Sequence, residues 1–218
     1  MAAPLAGDAL VRDTVSMRIR IKFCGLTRED DVVAAVACGT DAIGFNLARG
    51  PRRITVDRAA TLARLVPPPV AVVLLFMDAD PAEMFVAGEA CRASAIQLHG
   101  QESAAIAGSI ARRWPVIKAF AAGTAPSVIR NYPCAVALVD APAGGGGTGH
   151  GWDYAALAGT DLGHPLMLAG GLAPSTVAGA IRAARPWAVD VSSGIESSPG
   201  IKDPAKMAAF AAAVGAAG

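Results

Sequence analysis

The chain has 218 residues, 53% of them hydrophobic, and carries 19 Lys and Arg against 18 Asp and Glu for a formal net charge of +1. So apolar a composition has ample surface to bury and cannot remain disordered, and at this length about 70% of the surface exposed by the unfolded chain is hidden on folding, enough for one substantial core. Balanced charge without basic runs removes the electrostatic footprint of a nucleic-acid binder, and no apolar stretch reaches the ~20 residues that span a bilayer.

The four cysteines are Cys24, Cys38, Cys91 and Cys134. None forms a C-x-x-C pair, so neither a metal site nor a disulfide framework is suggested, and a reducing, cytoplasmic setting is expected. Residues 1–16 lack the charged and apolar regions of a secretory signal. Met17 stands directly before the first strand-like run, so residues 1–17 are expected to form a flexible extension and 18–218 a single catalytic domain.

From residue 18 onward a short run rich in Val, Ile and Leu alternates with an Ala-rich helical stretch. The first run, 18–23, is followed by Thr27 and Asp30, a Ser/Thr-x-x-Asp/Glu helix start before 32–38, with Gly39 as its stop. Runs at 42–47, 71–76 and 95–98 come next, then a helix over 102–113. Two more, 116–120 and 135–139, precede a glycine-rich segment at 144–149 that is short enough to be a loop. The last two runs are 166–169 and 188–191, leading to helices over 175–184 and 204–214. Apolar strands alternating with helices mean a parallel sheet covered on both faces. Eight such units in one short α/β domain predict a closed (β/α)8 TIM barrel, and the count argues against an open doubly wound sheet.

Polar residues inside such strands require a reason, because burying an unpaired polar group is costly. Strand alternation puts Lys22 and Cys24 on one face of the first strand, opposite Ile21 and Phe23. Gln97 and His99 share a face of the fourth strand, Lys118 interrupts the fifth, Asp140 closes the sixth and Asp190 sits in the eighth. The first and eighth strands of a barrel are neighbours, so Lys22 and Asp190 are placed to pair. Cys24, His99 and Asp140 end their strands, at the rim where barrel enzymes carry their chemistry. Each residue also has a plainer reading: Cys24 as a small core side chain, Asp140 as a turn residue, His99 as a packed imidazole, Lys22 with Asp190 as a structural pair.

Two glycine-containing loops follow the last strands, Ala169-Gly170-Gly171-Leu172 and Ser192-Ser193-Gly194. Glycine lets backbone N–H groups approach a ligand and a helix N-terminus adds positive potential, so this pair of loops suits an anion, and phosphate binds there in many barrels. Gly144, Gly146 and Gly149 satisfy G-x-G-x-x-G, but no convincing helix start follows, so a substrate-covering loop is the better reading.

Lys22-Phe23-Cys24-Gly25-Leu26-Thr27 resembles the K-x-C-G-I/L-T signature of the phosphoribosylanthranilate isomerase family. The resemblance continues at Gln97-Leu98-His99-Gly100, Asp140, Gly146-Gly147-Thr148-Gly149 and Ala169-Gly170-Gly171-Leu172. It is completed by Asp190-Val191-Ser192-Ser193-Gly194-Ile195-Glu196 and Pro199-Gly200-Ile201-Lys202-Asp203. It implies a cofactor-free, metal-free Amadori rearrangement of a small phosphosugar-anthranilate substrate in tryptophan biosynthesis, by a monomer or homodimer. By motif, Cys24 is implied as general base and Asp140 as general acid, with Arg52, His99 and Asp190 on the substrate and Gly170, Gly171, Ser192, Ser193 and Gly194 on its phosphate. The base would be helped by nearby positive charge, and the acid would keep its proton through burial. Arg52 suits a carboxylate because its fork makes a two-point contact, although it also fits a solvated loop charge beside Arg49 and Arg53. Gly50, Leu74, Gly44-Phe45-Asn46-Leu47 and Trp152-Asp153-Tyr154 depart from the family pattern, at the aromatic end of the pocket. The residues alone also fit a pentose-phosphate epimerase or a non-catalytic phosphosugar-binding barrel.

Overall fold

The structure is a computed structural model that describes residues 18–141 and 152–217. The expected 1–17 extension and the glycine-rich segment at 144–149 lie outside the described residues. Eight parallel strands close on themselves in sequence order: β1 (Arg20–Cys24), β2 (Ala42–Asn46), β3 (Ala71–Phe76), β4 (Ala95–Leu98), β5 (Val116–Ala121), β6 (Val136–Asp140), β7 (Leu166–Leu168) and β8 (Ala188–Val191). β8 returns to pair with β1, setting Lys22 opposite Asp190. The expected barrel is therefore present, and the open-sheet alternative is excluded.

Between the strands run α1 (Glu29–Ala37), α2 (Val56–Ala63), α3 (Pro81–Ala90), α4 (Ala104–Ala111), α5 (Pro126–Arg130), α6 (Val177–Ala184) and α7 (Pro204–Gly215). Among the described residues a 3-10 turn, Tyr154–Leu157, stands where a helix would link β6 to β7. After β8 come a second 3-10 turn, Ser193–Ile195, and a small hairpin of β9 (Glu196–Ser198) and β10 (Ile201–Lys202), which the strand pattern did not anticipate.

Strand register sorts the side chains into two cores. Lys22 pairs across to Ala42, Gly44 to Val73, Leu75 to Gln97, Gln97 to Ile117 and Ala119 to Leu138, so these residues share the inward face. Outward residues such as Phe23, Phe45, Leu74, Ile96 and Leu98 are fully buried beneath the helices. Phe23 meets Phe210 of α7 edge-to-face, with ring centroids 6.0 Å apart. Burying each large apolar side chain contributes about 1.5–3 kcal/mol, so this outer layer carries most of the barrel's stability.

Three local expectations need correction. Thr27 does not cap α1: its hydroxyl donates to the Gly200 carbonyl at 2.7 Å, fastening the hairpin to the rim, and Arg28 at the cap position makes no side-chain capping bond. The fourth helix begins at Ala104, capped by Ser103, because Glu102 turns inward. Glu102 accepts from Lys118 Nζ at 2.7 Å and from the backbone of Asp78 and Gly100. Lys118 thus sits on the helix side of β5, where its intrusion is a buried ion pair and not part of the rim. Finally, α6 starts at Val177, after a turn in which Thr176 Oγ accepts from Ala173 N at 2.9 Å.

Candidate active site

The inward polar residues converge on one cavity of 280 Å³ at the C-terminal mouth of the barrel. Cys24, Asp140, His99, Arg52 and Asp190 all line it, so the side chains singled out from the sequence meet in one place. The thiol and the carboxyl group stand three strands apart around the closed barrel, at the ends of β1 and β6, with β7 and β8 between them.

Cys24 is 6% exposed. Directly below it, Lys22 Nζ donates to Asp190 Oδ1 at 2.8 Å with both side chains buried. Burial opposes the charge on Lys22, but the Asp190 carboxylate prevails and raises its pKa. For Cys24 the balance runs the other way: burial raises the thiol pKa, Lys22 pulls it down, Asp190 pushes it up, and the net shift is upward. Positive charge is therefore present beside the thiol as expected, but burial outweighs it. Gly44 on β2 makes room for this arrangement. A Cβ there would lie 2.8 Å from Cys24 Sγ and 3.0 Å from Lys22 Nζ.

On the opposite wall, Asp140 Oδ1 accepts from Ala141 N at 2.7 Å, and its Oδ2 lies 3.3 Å from His99 Nε2. His99 Nδ1 is 2.9 Å from the Gln97 side-chain amide. His99 thus bridges Gln97 and Asp140 with its two ring nitrogens. The Asp140 side chain is 30% exposed, so the burial expected of the acid is not built into the free protein.

Between these walls lie the two glycine-containing loops. Gly170 and Gly171 have φ of +81° and +68°, values that side chains rarely adopt, and a Cβ on Gly170 would meet Asp140 Oδ1 at 2.8 Å. Ser192 and Ser193 line the cavity with them. Gly194 does not; a Cβ there would overlap the Leu172 carbonyl, so it serves the close packing of the two loops. Two residues that the sequence reading left as departures prove to brace this region. Trp152 Nε1 donates to the Ala169 carbonyl at 3.1 Å and the Tyr154 hydroxyl to the Gly170 carbonyl at 2.6 Å.

Arg52 is not a free loop charge. Its Nε and Nη2 both bond Glu196 at 2.7 Å, in the two-point geometry of a guanidinium and a carboxylate. Glu196 also takes Lys202 Nζ at 2.8 Å, and Lys202 donates in turn to the Ser192 carbonyl at 3.0 Å. Arg52 also lines the cavity. This Glu196–Lys202 support was not found from the sequence, because its members lie on a hairpin 144 residues beyond Arg52.

Residues 21–213 match the family model described as N-(5'phosphoribosyl)anthranilate (PRA) isomerase. The N-(5'-phosphoribosyl)anthranilate isomerase of Dechloromonas aromatica is 44% identical over 204 residues, covering 91% of this chain and 97% of the relative. Among solved structures, phosphoribosyl anthranilate isomerase from Thermus thermophilus superposes with a TM-score of 0.82 at 35% identity, covering 91% of this chain and 99% of that one. Another structure of such an isomerase, in complex with reduced 1-(o-carboxyphenylamino)-1-deoxyribulose 5-phosphate, has a TM-score of 0.81 at 31% identity over 90% of this chain and 98% of its own.

Proposed function

The chain belongs to the N-(5'-phosphoribosyl)anthranilate isomerase family and is an isomerase of tryptophan biosynthesis, and from that premise we propose that Cys24 and Asp140 are its base and acid. The observation that carries this reading is their placement: a buried thiol and a half-exposed carboxyl group on opposite walls of one cavity, with glycine loops between them.

The reaction converts N-(5-phosphoribosyl)anthranilate to 1-(2-carboxyphenylamino)-1-deoxyribulose 5-phosphate. Asp140 gives a proton to the furanose ring oxygen, the C1–O bond breaks, and C1 becomes a protonated imine. That cation acidifies the C2 hydrogen, which the Cys24 thiolate removes; the C2–H electrons form the C1–C2 double bond of an enolamine. Protonation at C1 and loss of the enol proton then give the ketone. His99, held by Gln97, orients Asp140. The bound sugar covers the exposed part of Asp140.

The phosphate sits on Gly170, Gly171, Ser192 and Ser193, where backbone N–H groups and the turn before α6 favour an anion. The anthranilate carboxylate meets the Nη edge of Arg52 that Glu196 leaves open, and Asp190 faces the sugar hydroxyls with the oxygen that Lys22 does not occupy. Residues 18–218 act as one catalytic domain on a small molecule, without nucleic acid or membrane, and four free cysteines suit the cytoplasm.

Purified protein added to freshly formed phosphoribosylanthranilate tests the reading. Its fluorescence should decay rapidly, and Cys24→Ala or Asp140→Asn should slow the decay by orders of magnitude with the fold intact. Near-normal decay in both variants would refute the roles.

A further inference from the structure

Cys24 stands among five ionised side chains contributed from around the barrel and its hairpin. Lys22 on β1 is matched by Asp190 on β8 at 2.8 Å, and Arg52 after β2 is matched by Glu196 on β9 at 2.7 Å. Lys202 on β10 is fully buried and shares Glu196, so three cations face two carboxylates and one positive charge is left over. On the far wall stand His99 and Asp140.

Lys202 also reaches the backbone of Cys24 through one hydroxyl. Its Nζ lies 3.3 Å from Ser192 Oγ, and that hydroxyl donates to the carbonyl oxygen of Cys24 at 3.0 Å. Uncompensated charge in a low-dielectric interior is expensive, so the group that neutralises it is strongly favoured in its charged form. Here that group is Cys24, where this pull towards the thiolate works against burial.

We propose that Lys202 is a positioning residue of the reaction, acting through Cys24: its ammonium is the unmatched charge of the buried cluster, and the Cys24 thiolate is the anion that balances it. The proposal rests on Cys24 being the base. Without substrate the thiolate brings the cluster to neutrality, and once the product takes its carboxylate away from Arg52 the uncompensated positive charge favours loss of the proton that Cys24 took from C2. Lys22 does not serve this purpose alone, since Asp190 already cancels it. Burial pushes the thiol pKa up, Lys22 pulls it down against the opposing push of Asp190, and Lys202 adds a smaller downward pull. Glu196 moderates this pull and is itself held ionised against burial by Arg52 and Lys202.

The test is the pH dependence of iodoacetamide alkylation at Cys24, read from its own peptide by mass spectrometry, in the wild-type protein and in Lys202→Met, Lys202→Arg and Glu196→Gln. Removing the cation should raise the alkylation midpoint by about 1 pH unit and removing the carboxylate should lower it by a similar amount. Lys202→Arg should stay close to wild type. The acidic limb of kcat/KM should move in parallel. A general loosening of the hairpin would move Met and Gln variants in the same direction, and that result, or no movement in either, overturns the proposal. If Lys202→Met fails to fold, Glu196→Gln decides: a lower midpoint supports the proposal, and an unchanged or higher one overturns it. Full turnover by Cys24→Ala would instead remove the base assignment, while leaving the alkylation shifts to report the charge balance on their own.

Discussion

Gly44→Ala is the smallest change that reaches the proposed base without replacing a charged or reacting residue. The added carbon would stand 2.8 Å from Cys24 Sγ, about 0.6 Å inside the 3.4 Å at which ordinary contact begins, and 3.1 Å from Lys22 Cε. Lys22 cannot retreat, because it is 1% exposed and its ammonium is bonded to Asp190 at 2.8 Å. The sulfur must therefore swing towards the cavity. Overpacking of this kind costs about 1–3 kcal/mol of stability, which for a domain of this size lowers Tm by about 2–12 °C. A misplacement approaching 1 Å at a reacting atom costs about 100-fold in rate. The glycine loops and Arg52 are not displaced, so KM should change by no more than about threefold, within the ordinary scatter of surface effects. Steady-state assays of phosphoribosylanthranilate consumption, with thermal unfolding alongside, measure all three quantities. Wild-type kcat in a folded Gly44→Ala protein would refute the idea that this glycine holds the thiol in place.

Other perturbations probe separate parts of the account. Because burial holds the Cys24 thiol above its ordinary value in the free protein, the thiolate is lost as pH falls, and kcat/KM should still be climbing with pH between about 7 and 9; a profile flat across that range would contradict the base assignment. Lys118→Met leaves Glu102 buried without its cation and should lower unfolding free energy by about 3–5 kcal/mol in urea titrations, with kcat of the folded fraction unchanged. Tyr154→Phe removes the hydrogen bond to the Gly170 carbonyl, worth about 1 kcal/mol, and should raise KM about fivefold with little change in kcat. Asp140→Asn should keep the wild-type affinity for inorganic phosphate, measured by competition, while turnover is lost.

The barrel was readable because each parallel strand is apolar on both faces and therefore shows as a solid run, recurring eight times. The site was readable for the same reason: Lys22, Gln97, Asp140 and Asp190 break those runs at inward positions, where register later places them. Lys118 shows the limit of that reasoning. It also breaks a run, yet it is one residue out of phase with inward Ile117, and counting phase along β5 would have sent it to the helix layer. Its partner Glu102 was hidden because an acidic residue before an Ala-rich stretch reads as a helix start. Thr27 misled in the same way, since its hydroxyl found a tertiary partner in Gly200 in place of a local cap. The Arg52–Glu196–Lys202 support depends on a hairpin of only 3 and 2 strand residues, too short to leave a periodic signal.

A crystal structure of the protein with the reduced product analogue tests the central claim most directly. The account predicts Cys24 Sγ about 3–3.5 Å from C2 of the sugar on one face, Asp140 within about 2.6–3.2 Å of the oxygen on C4 from the other, and the phosphate against Gly170, Gly171, Ser192 and Ser193. A complex in which the sulfur faces the aryl ring or the phosphate, with another side chain closest to C2, would contradict it.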